Sequence, residues 1–315
     1  MRKRIAELDF LKCVFILLMI IFHLVYIGDK YPYAKALVYT FHMPAFLIIS
    51  GYLMNVGKDI RSFLRMVFWI FVPYAVMESG YVVMSSVLPV RGGVEELSLG
   101  VWIEKLFLHP VGPYWYLHTL MVCGLTYYAV SRAFAGRGGV LSFLIVVGVL
   151  FAVESEIVGL VVLPNALYFL AGVALKRTST DFLSFFRPSF LAVVPFVWIA
   201  ADTSNLVMAH LSGVALTYLS VSLLLAVFRR LPDKAVRFCS YIGSNTFILL
   251  VFSPVFTMSV KPLVPVLSFD PTGMVFLCVA LFITVAGSLG IAWVMDKLRL
   301  STFFWGKARM LQPFC

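Results

Sequence analysis

Long apolar runs, separated by short charged or Gly/Pro-rich breaks, constrain this chain more than any other feature. About 20 consecutive apolar residues in a helix cross a bilayer core, because backbone polar groups in lipid must be hydrogen-bonded within the segment. Such runs predict about ten membrane-spanning helices, and residues 98–108 between the third and fourth form a candidate amphipathic helix at the interface. The ten runs cover approximately residues 10–28, 35–55, 63–88, 113–134, 139–153, 158–176, 189–201, 204–229, 238–259 and 272–296.

The composition excludes most other classes of protein. Apolar residues make up 62% of the 315 positions and charged residues only 13%, against about 45–50% and about 25% in soluble domains. A soluble enzyme, a nucleic-acid-binding domain, a disordered chain and a secreted disulfide scaffold are therefore excluded. The five cysteines are widely spaced, so we interpret them as small apolar side chains and predict no metal site. The predicted fold is all-α, a polytopic membrane helix bundle forming one domain over residues 1–315.

The distribution of Lys and Arg predicts the orientation of the bundle. Basic residues are retained on the cytoplasmic side of a membrane. With the N-terminus inside, the cytoplasmic segments hold 20 of the 25 Lys and Arg residues, and both termini are predicted to be cytoplasmic. The net charge of +10 is then mainly a topology signal, with no nucleic acid implied. The basic N-terminus lacks a small-residue cleavage site, so we expect the first apolar run to be retained.

The first apolar run carries two ionisable residues that lipid should not tolerate. Charged side chains at the centre of a membrane are costly, and each is a functional candidate. Lys12 and His23 are eleven residues apart, which places both on one helical face about 16 Å apart along the axis. Asp9 lies one turn from Lys12 and is the expected ion-pair partner. The alternatives are that Lys12 snorkels to the interface and that His23 is an ordinary hydrogen-bonded interior imidazole.

Three histidines on three predicted spans fall at similar depths. Their distances from the span ends place His23, His42 and His118 about 7–10 Å below the external surface. We expect a polar cavity that opens outward, in which an imidazole moves a proton near neutral pH. Two alternatives remain: His118 stacks among its aromatic neighbours Tyr114, Trp115 and Tyr116, and these aromatic residues form an interfacial belt.

Glu78 is the one carboxylate that the predicted spans place well inside an apolar run. A buried carboxylate must be paired or neutralised. We therefore expect Glu78 to meet a histidine or a helix-capping donor.

Two sequence patterns resemble a known family. Leu8-Asp9-Phe10-Leu11-Lys12, followed by ten residues and His23, is similar to the first helix of the acyltransferase 3 family of integral membrane acyltransferases. The stretch from Phe41 to Leu53 resembles the second helix of that family, with His42, a Met-Pro pair, aromatic residues and the pair Ser50-Gly51. Weaker similarities are Pro73-Tyr74, Tyr114-Trp115-Tyr116-Leu117 and Gly243-Ser244-Asn245-Thr246.

The resemblance implies an activity and a location. It implies transfer of an acyl group, usually acetyl, from cytoplasmic acyl-CoA to a hydroxyl of a cell-surface carbohydrate or lipid-linked sugar. The expected location is the inner membrane of a bacterium, with lipids, acyl-CoA and the carbohydrate acceptor as partners and no permanently bound cofactor. His23 would be the catalytic histidine, acting as general base or as transient acyl carrier, and Lys12 its basic companion.

The remaining predicted site residues follow from the resemblance and the charge layout. His42 or Glu78 would orient His23 and set its tautomer, which makes both catalytic candidates. Lys12, Arg61 and Arg65 lie at predicted cytoplasmic helix ends and would bind the phosphates of CoA. The predicted substrate-binding residues are Ser50, Trp115, His118 and Asn245.

The sequence also departs from the family pattern and leaves rival functions open. The paired arginines that often precede the third-span Pro-Tyr are absent, with Arg61 and Arg65 at a different spacing, and Ser253 stands where many members have histidine. One alternative is a polysaccharide or lipid-linked sugar exporter, which would not consume acetyl-CoA, and another is a subunit with an inactive site. The sequence does not choose the acceptor, the acyl group, direct transfer against an acyl-enzyme, or the oligomeric state.

Overall fold

The computed structural model describes residues 5–87, 94, 96–134 and 138–314. Within these residues the secondary structure is helical and no strand is present. Several positions named in the sequence analysis lie outside the described residues. They are the basic residues 2–4, Arg91, Arg137, Cys315 and the end of the predicted third span at residue 88.

The helices follow one another closely along the chain. They are α1 (Ala6–His23), α2 (Val25–Lys30), α3 (Pro32–Leu53), α4 (Ile60–Ser85), α5 (Leu99–Phe107), α6 (Trp115–Phe134), α7 (Val140–Glu156), α8 (Leu163–Arg177), α9 (Phe182–Phe185), α10 (Val193–Ala200), α11 (Leu211–Phe228), α12 (Asp233–Ser244), α13 (Thr246–Ser259), α14 (Leu263–Val266), α15 (Met274–Lys297) and α16 (Ser301–Trp305). Short 3₁₀ helices cover Gly112–Tyr114, Phe190–Ala192 and Thr203–Asn205.

The all-α prediction is confirmed, and each predicted span contains a helix. The amphipathic segment 98–108 coincides with α5. By length and composition, α3, α4, α11 and α15 could each cross a membrane, and α12 with α13, bent by 75°, could form a fifth crossing. The structure is thus that of a helical membrane protein, while the count of ten spans and the cytoplasmic termini stay predictions.

The predicted first span, residues 10–28, was expected to be one helix, and this is wrong. The helix ends at His23, and Leu24 is extended, with φ −69° and ψ 98°, before α2 begins. The N–H of Leu24 still bonds to the carbonyls of Ile20 and Ile21, which closes the last turn of α1. Irregular backbone at membrane depth is tolerated where protein buries it or where it lines a cavity.

Contacts divide the chain into two compact units, and the first boundary along the chain falls within α3. The first unit comprises Met1–Phe46, Leu183–Thr302 and Lys307–Cys315. In it α1 packs against α12, α13 and α11, and α13 packs against α15. One apolar cluster of this unit consists of Leu24, Ile27, Val260, Phe276 and Ala280.

The second unit comprises Leu47–Phe182 and Phe303–Gly306. In it α6 packs against α4, α7 and α8. Gly51 of α3 and Gly172 of α8 mark a close helix crossing, because a Cβ atom at either position would overlap a carbonyl of the facing helix, of Phe169 or Ile48 respectively. Small residues that allow backbones to approach are typical of helix packing in membranes. The single-domain prediction for residues 1–315 stays a prediction.

Apolar side chains cover much of the exposed helical surface. On α7, Leu141, Ile145 and Val149 repeat at a spacing of four residues and are 56–71% exposed. Such a stripe is costly in water but is the ordinary lipid-facing surface of a membrane helix.

Candidate active site

His23 and His42 both contact the ring of Tyr39 in the first unit. The ring centroids are 6.1 Å apart for His23 and Tyr39 and 5.2 Å apart for Tyr39 and His42. His23 is the last residue of α1 and is partly buried, whereas His42, in the middle of α3, is only 1% exposed. Two of the three histidines predicted to lie at similar depth are thus brought to one place.

Each of these imidazoles is fixed by its own helix. Nδ1 of His23 donates to the carbonyl of Met19 at 2.7 Å, and Nδ1 of His42 donates to the carbonyl of Val38 at 2.7 Å. Because a carbonyl oxygen can only accept, the proton must be on Nδ1 in both rings, and the lone pair is on Nε2. The carbonyl of Met19 therefore occupies the orienting position at Nδ1 of His23 that the sequence analysis gives to His42 or Glu78.

The Nε2 atom of His42 is buried and has no hydrogen-bond partner among the described residues. An unpaired buried polar group costs about 1–3 kcal/mol, so each such group in a native structure calls for an explanation. A ligand hydroxyl that donates to this lone pair would satisfy it. The arrangement can thus hold two basic nitrogen atoms near a substrate alcohol.

The break after α1 brings two further polar groups to the histidines. The hydroxyl of Tyr39 donates to the carbonyl of Phe22 at 3.2 Å, close to the end of the helix. The ammonium of Lys35 lies 5.8 Å from the centroid of the Tyr39 ring and interacts electrostatically with His23. Lys35 is assigned no role in the sequence analysis, because its approach to His23 depends on the turn between α2 and α3.

Lys12 pairs with Asp9, as the sequence predicts. The Nζ atom of Lys12 lies 2.6 Å from Oδ1 of Asp9, and their side chains are 20% and 8% exposed. Gly243 of α12 lies directly against the backbone of Asp9, where a Cβ atom would overlap its carbonyl oxygen. Close packing of α12 thus buries the carboxylate that holds Lys12.

Glu78 meets a backbone donor in the second unit. Its Oε1 atom accepts from the N–H of Val111 at 2.5 Å, and Val111 is the residue that precedes the 3₁₀ helix Gly112–Tyr114. The side chain is fully buried, and Oε2 has no partner among the described residues. The expectation of a helix-capping donor is confirmed, and the bond fixes the segment between α5 and α6.

Three hydrogen bonds hold α5, the helix that leads into this segment, and one of them comes from His118. Nε2 of His118 donates to the carbonyl of Phe107 at 2.9 Å, and the hydroxyl of Tyr74 donates to the carbonyl of Leu106 at 2.8 Å. Nε1 of Trp102 donates to Oγ of Ser79 at 2.9 Å. The carbonyls at a helix C-terminus lack partners within the helix, so the bonds from His118 and Tyr74 complete the end of α5, while the bond from Trp102 holds α5 against α4.

The other predicted substrate- and donor-binding residues have separate environments. Oγ of Ser50 is hydrogen-bonded to the hydroxyl of Tyr116 at 2.6 Å, and the rings of Trp115 and Tyr116 are 6.2 Å apart in an edge-on contact. Arg61 and Arg65 lie on the first turns of α4 and are exposed. Their roles stay predictions.

Asn245 lies at the bend between α12 and α13 and is 1% exposed. Its Nδ2 donates to the carbonyl of Tyr241 at 2.8 Å, and its Oδ1 accepts from the N–H of Gln312 at 2.9 Å. The side chain thus ties the C-terminal segment to the bend. Its predicted substrate contact stays a prediction.

A partly buried carboxylate on α7, that of Glu154, is not identified in the sequence analysis. Glu154 accepts from the hydroxyl of Thr126, and its Oε2 is buried without a partner in the described part of the chain. The fifth span was predicted to end at residue 153, while α7 continues to Glu156. Across the described residues, no group of three or more His, Cys, Asp or Glu side chains is placed to hold a metal ion.

Comparison with known proteins agrees with the two motifs. A family model described as an acyltransferase domain, that of the acyltransferase 3 family, matches residues 5–293. The chain belongs to the acyltransferase 3 family. No curated protein and no solved structure matches the chain significantly.

The acyltransferase 3 match includes every predicted site residue and nearly the whole chain. It supports a multi-pass membrane acyltransferase and does not favour the exporter alternative. The two motifs that resemble the family each lie on one helix. The Lys12–His23 pattern lies on α1, and His42 and the pair Ser50-Gly51 lie on α3.

Proposed function

We propose that this acyltransferase moves an acyl group, most simply acetyl, from cytoplasmic acyl-CoA to a hydroxyl of a cell-surface carbohydrate or lipid-linked sugar. The observation that carries the proposal is the pair His23 and His42. Each imidazole donates its Nδ1 proton to its own helix, and both contact Tyr39. Both Nε2 lone pairs are therefore available to accept protons.

In the proposed reaction His23 acts as general base. Its Nε2 takes the proton of the acceptor hydroxyl while the alcohol oxygen attacks the thioester carbonyl carbon. The tetrahedral intermediate collapses by breaking the C–S bond, and the proton on Nε2 is returned to the departing CoA sulfur. The products are the ester and CoA with a free thiol, and no other reactant is needed. This direct transfer is simpler than an acyl-histidine intermediate.

Neighbouring groups would support each stage of this reaction. Nε2 of His42 would accept a hydrogen bond from a second hydroxyl group of the acceptor and would thereby orient the acceptor. The ammonium of Lys35, which interacts with His23, would stabilise negative charge that develops on the thioester oxygen. The carbonyl end of α1 offers partial negative charge to the imidazolium formed at His23.

The remaining predicted residues have proposed roles at the two substrates. Lys12, held by Asp9, and the exposed Arg61 and Arg65 would attract the negatively charged acyl-CoA on the cytoplasmic side. Glu78 would serve as a positioning residue through Val111. We further propose ten spans with both termini cytoplasmic in a bacterial inner membrane, and contacts to the acceptor from Ser50, Trp115, His118 and Asn245.

Transfer of label from acetyl-CoA tests the proposal. Membranes with the wild-type protein should consume [¹⁴C]acetyl-CoA when the cell's surface glycans are supplied, and His23→Ala should abolish this consumption. His42→Ala should lower it at least tenfold, because the second basic nitrogen is lost. His210→Ala is the matched control, since His210 is an exposed histidine at the start of α11.

Two results would contradict the proposal. One is undiminished transfer by a stably inserted His23→Ala protein, which would end the assignment of the base. The other is wild-type protein that consumes no acetyl-CoA with any surface glycan fraction, which would exclude acetyl transfer.

A further inference from the structure

A cavity of about 860 Å³ opens in the first unit at the end of α15. Its walls come from α12, the C-terminal turn of α15, and the chain after residue 307. Small-molecule sites typically have volumes of about 300–1,000 Å³, so this cavity is large enough for a nucleotide. It lies on elements that carry neither His23 nor His42.

Three cations line the cavity: Lys297, Arg299 and Arg309. Among the described residues, no carboxylate lies within ion-pair distance of any of them. The one acidic lining residue is Asp296, and its oxygens are already occupied by the hydroxyl of Ser301 and by backbone N–H groups. The cavity therefore offers unpaired positive charge to a ligand.

Aromatic side chains stand beside these cations. Tyr241, Trp293 and Phe314 line the cavity, and the rings of Tyr241 and Phe314 are 5.2 Å apart. Trp293 and Phe314 are more than half exposed. Exposed rings next to cations suit a ligand that combines a flat heterocycle with phosphate groups.

Arg299 is held in an unusual backbone conformation at the cavity. Its φ is +59°, in the left-handed region where glycine is the usual residue. The N–H of Arg299 bonds to the carbonyl of Asp296, and that of Leu300 to the carbonyl of Met295, which forms a Schellman ending of α15. A side chain kept at a glycine position in spite of the strain indicates a role for the side chain.

We infer that this cavity binds the 3′-phosphoadenosine diphosphate end of the acyl-CoA donor. The inference rests on the proposed function, which supplies acyl-CoA as donor, and on the predicted cytoplasmic location of the C-terminus. The adenine would stack on Trp293 or Phe314, and the phosphates would bind Arg299, Arg309 and Lys297. The headgroup phosphate of an anionic lipid shares part of this chemistry, so the test includes it.

Binding of CoA itself tests the inference without any acyl transfer. Full-length protein in phosphatidylcholine nanodiscs is titrated calorimetrically with CoA, 3′-dephospho-CoA and pantetheine. Arg309→Ala and Arg299→Gly should each raise the Kd for CoA about tenfold and leave the Kd for pantetheine unchanged. Arg299→Gly suits the left-handed backbone, so this variant folds. Lys307→Ala is the matched control, because Lys307 is an exposed cation of the same segment outside the cavity lining.

The outcomes separate this site from the proposed function. If the wild type consumes acetyl-CoA and both variants bind CoA as the wild type does, the site is overturned and the function stands. Equal weakening of CoA and pantetheine would also overturn it, because the effect would not be at the nucleotide. If the wild type binds no CoA at all, both proposals fail. If the variants lose only co-purifying phosphatidylglycerol, detected by native mass spectrometry, the cavity is a lipid headgroup site and the nucleotide assignment is wrong.

Discussion

Gly243 lies so close to the backbone carbonyl of Asp9 that no side chain fits between them. The contact belongs to the interface between α12 and α1, and Asp9 forms the ion pair with Lys12 in the same turn. Gly243 is also the first residue of the sequence pattern Gly243-Ser244-Asn245-Thr246. Close packing of the two helices requires glycine at position 243. The same contact positions Asp9 and therefore Lys12, which the proposed function uses.

We therefore expect Gly243→Ala to destabilise the protein by about 3 kcal/mol, because its methyl group meets backbone that cannot rotate away. Gly290→Ala, on α15, is the matched control, since a Cβ atom there has nothing within 4 Å. That variant should be stabilising by about 0.5–1 kcal/mol. Unfolding of both variants by SDS in mixed micelles, followed by Trp fluorescence, measures the difference. Equal stabilities would show that α1 and α12 can separate at no cost.

Substitutions at Glu78 distinguish a structural from a chemical role. Glu78→Ala leaves the N–H of Val111 unpaired and should cost about 1–3 kcal/mol in the same unfolding assay. Glu78→Gln keeps the acceptor oxygen and should retain stability to within about 1 kcal/mol. If Glu78 only positions Val111, the Gln variant keeps its rate of acetyl-CoA consumption.

A Gln variant that is stable but has lost turnover would instead make Glu78 a proton-transfer group. The buried Oε2, which has no partner among the described residues, is the atom that such a role would use. Glu154→Gln is the matched control, because Glu154, on α7, is another carboxylate whose Oε2 is buried without a partner among the described residues.

Long apolar runs were sufficient to predict ten segments that each contain a helix, but not the interruptions within them. The break at Leu24 occurs without Pro or Gly in the preceding turn, and the hydroxyl of Tyr39 donates to the carbonyl of Phe22 beside it. Likewise, the residues Glu154-Ser155-Glu156 resemble a span end, while α7 continues through them and the hydroxyl of Thr126 donates to Oε1 of Glu154. Such effects arise from partners distant in sequence.

The candidate site was predictable in part for the same reason. The spacing of Lys12 and His23 and the pairing with Asp9 depend only on helical geometry, and α1 has both. The position of His42 on the predicted second helix was readable from the sequence, but its contact with Tyr39 depends on ring orientation. The environment of His118 was not readable from the sequence, because its bond to the carbonyl of Phe107 depends on where α5 ends.

Asp270 gives the start of α15 a pH-dependent stability. The pKa of Asp270 is lowered to about 2, because its carboxylate accepts hydrogen bonds from the hydroxyl of Thr272 and from the N–H groups of Val275 and Thr272. Unfolded aspartate titrates at about 3.9. A lowered folded-state pKa means that the stabilisation is fully present above pH of about 4 and is lost as the pH falls toward 2.

Asp270→Ala should therefore speed amide hydrogen exchange in the first turn of α15, measured by mass spectrometry and corrected for intrinsic exchange rates. The difference from wild type should be constant between pH 5 and 7, in keeping with the full ionisation of an aspartate at those values, and should shrink below pH of about 4. A difference that grows on acidification would have the wrong sign for this carboxylate. Asp202→Ala, at a 3₁₀ helix, is the local control, since Asp202 caps a different segment.

Asp296 holds the C-terminal segment through the N–H groups of Met310 and Leu311, at 2.9 and 3.0 Å. Asp296→Ala should release this segment, because two backbone donors lose their acceptor, and limited proteolysis by trypsin should then cut after Lys307 and Arg309 at least tenfold faster. Asn245→Ala removes one such bond, from Gln312, and should accelerate cleavage less.

Because the segment forms one wall of the cavity at the end of α15, Asp296→Ala should also weaken CoA binding. Unchanged cleavage in Asp296→Ala would mean that the aromatic contact of Phe314 with Tyr241 is sufficient to hold the segment.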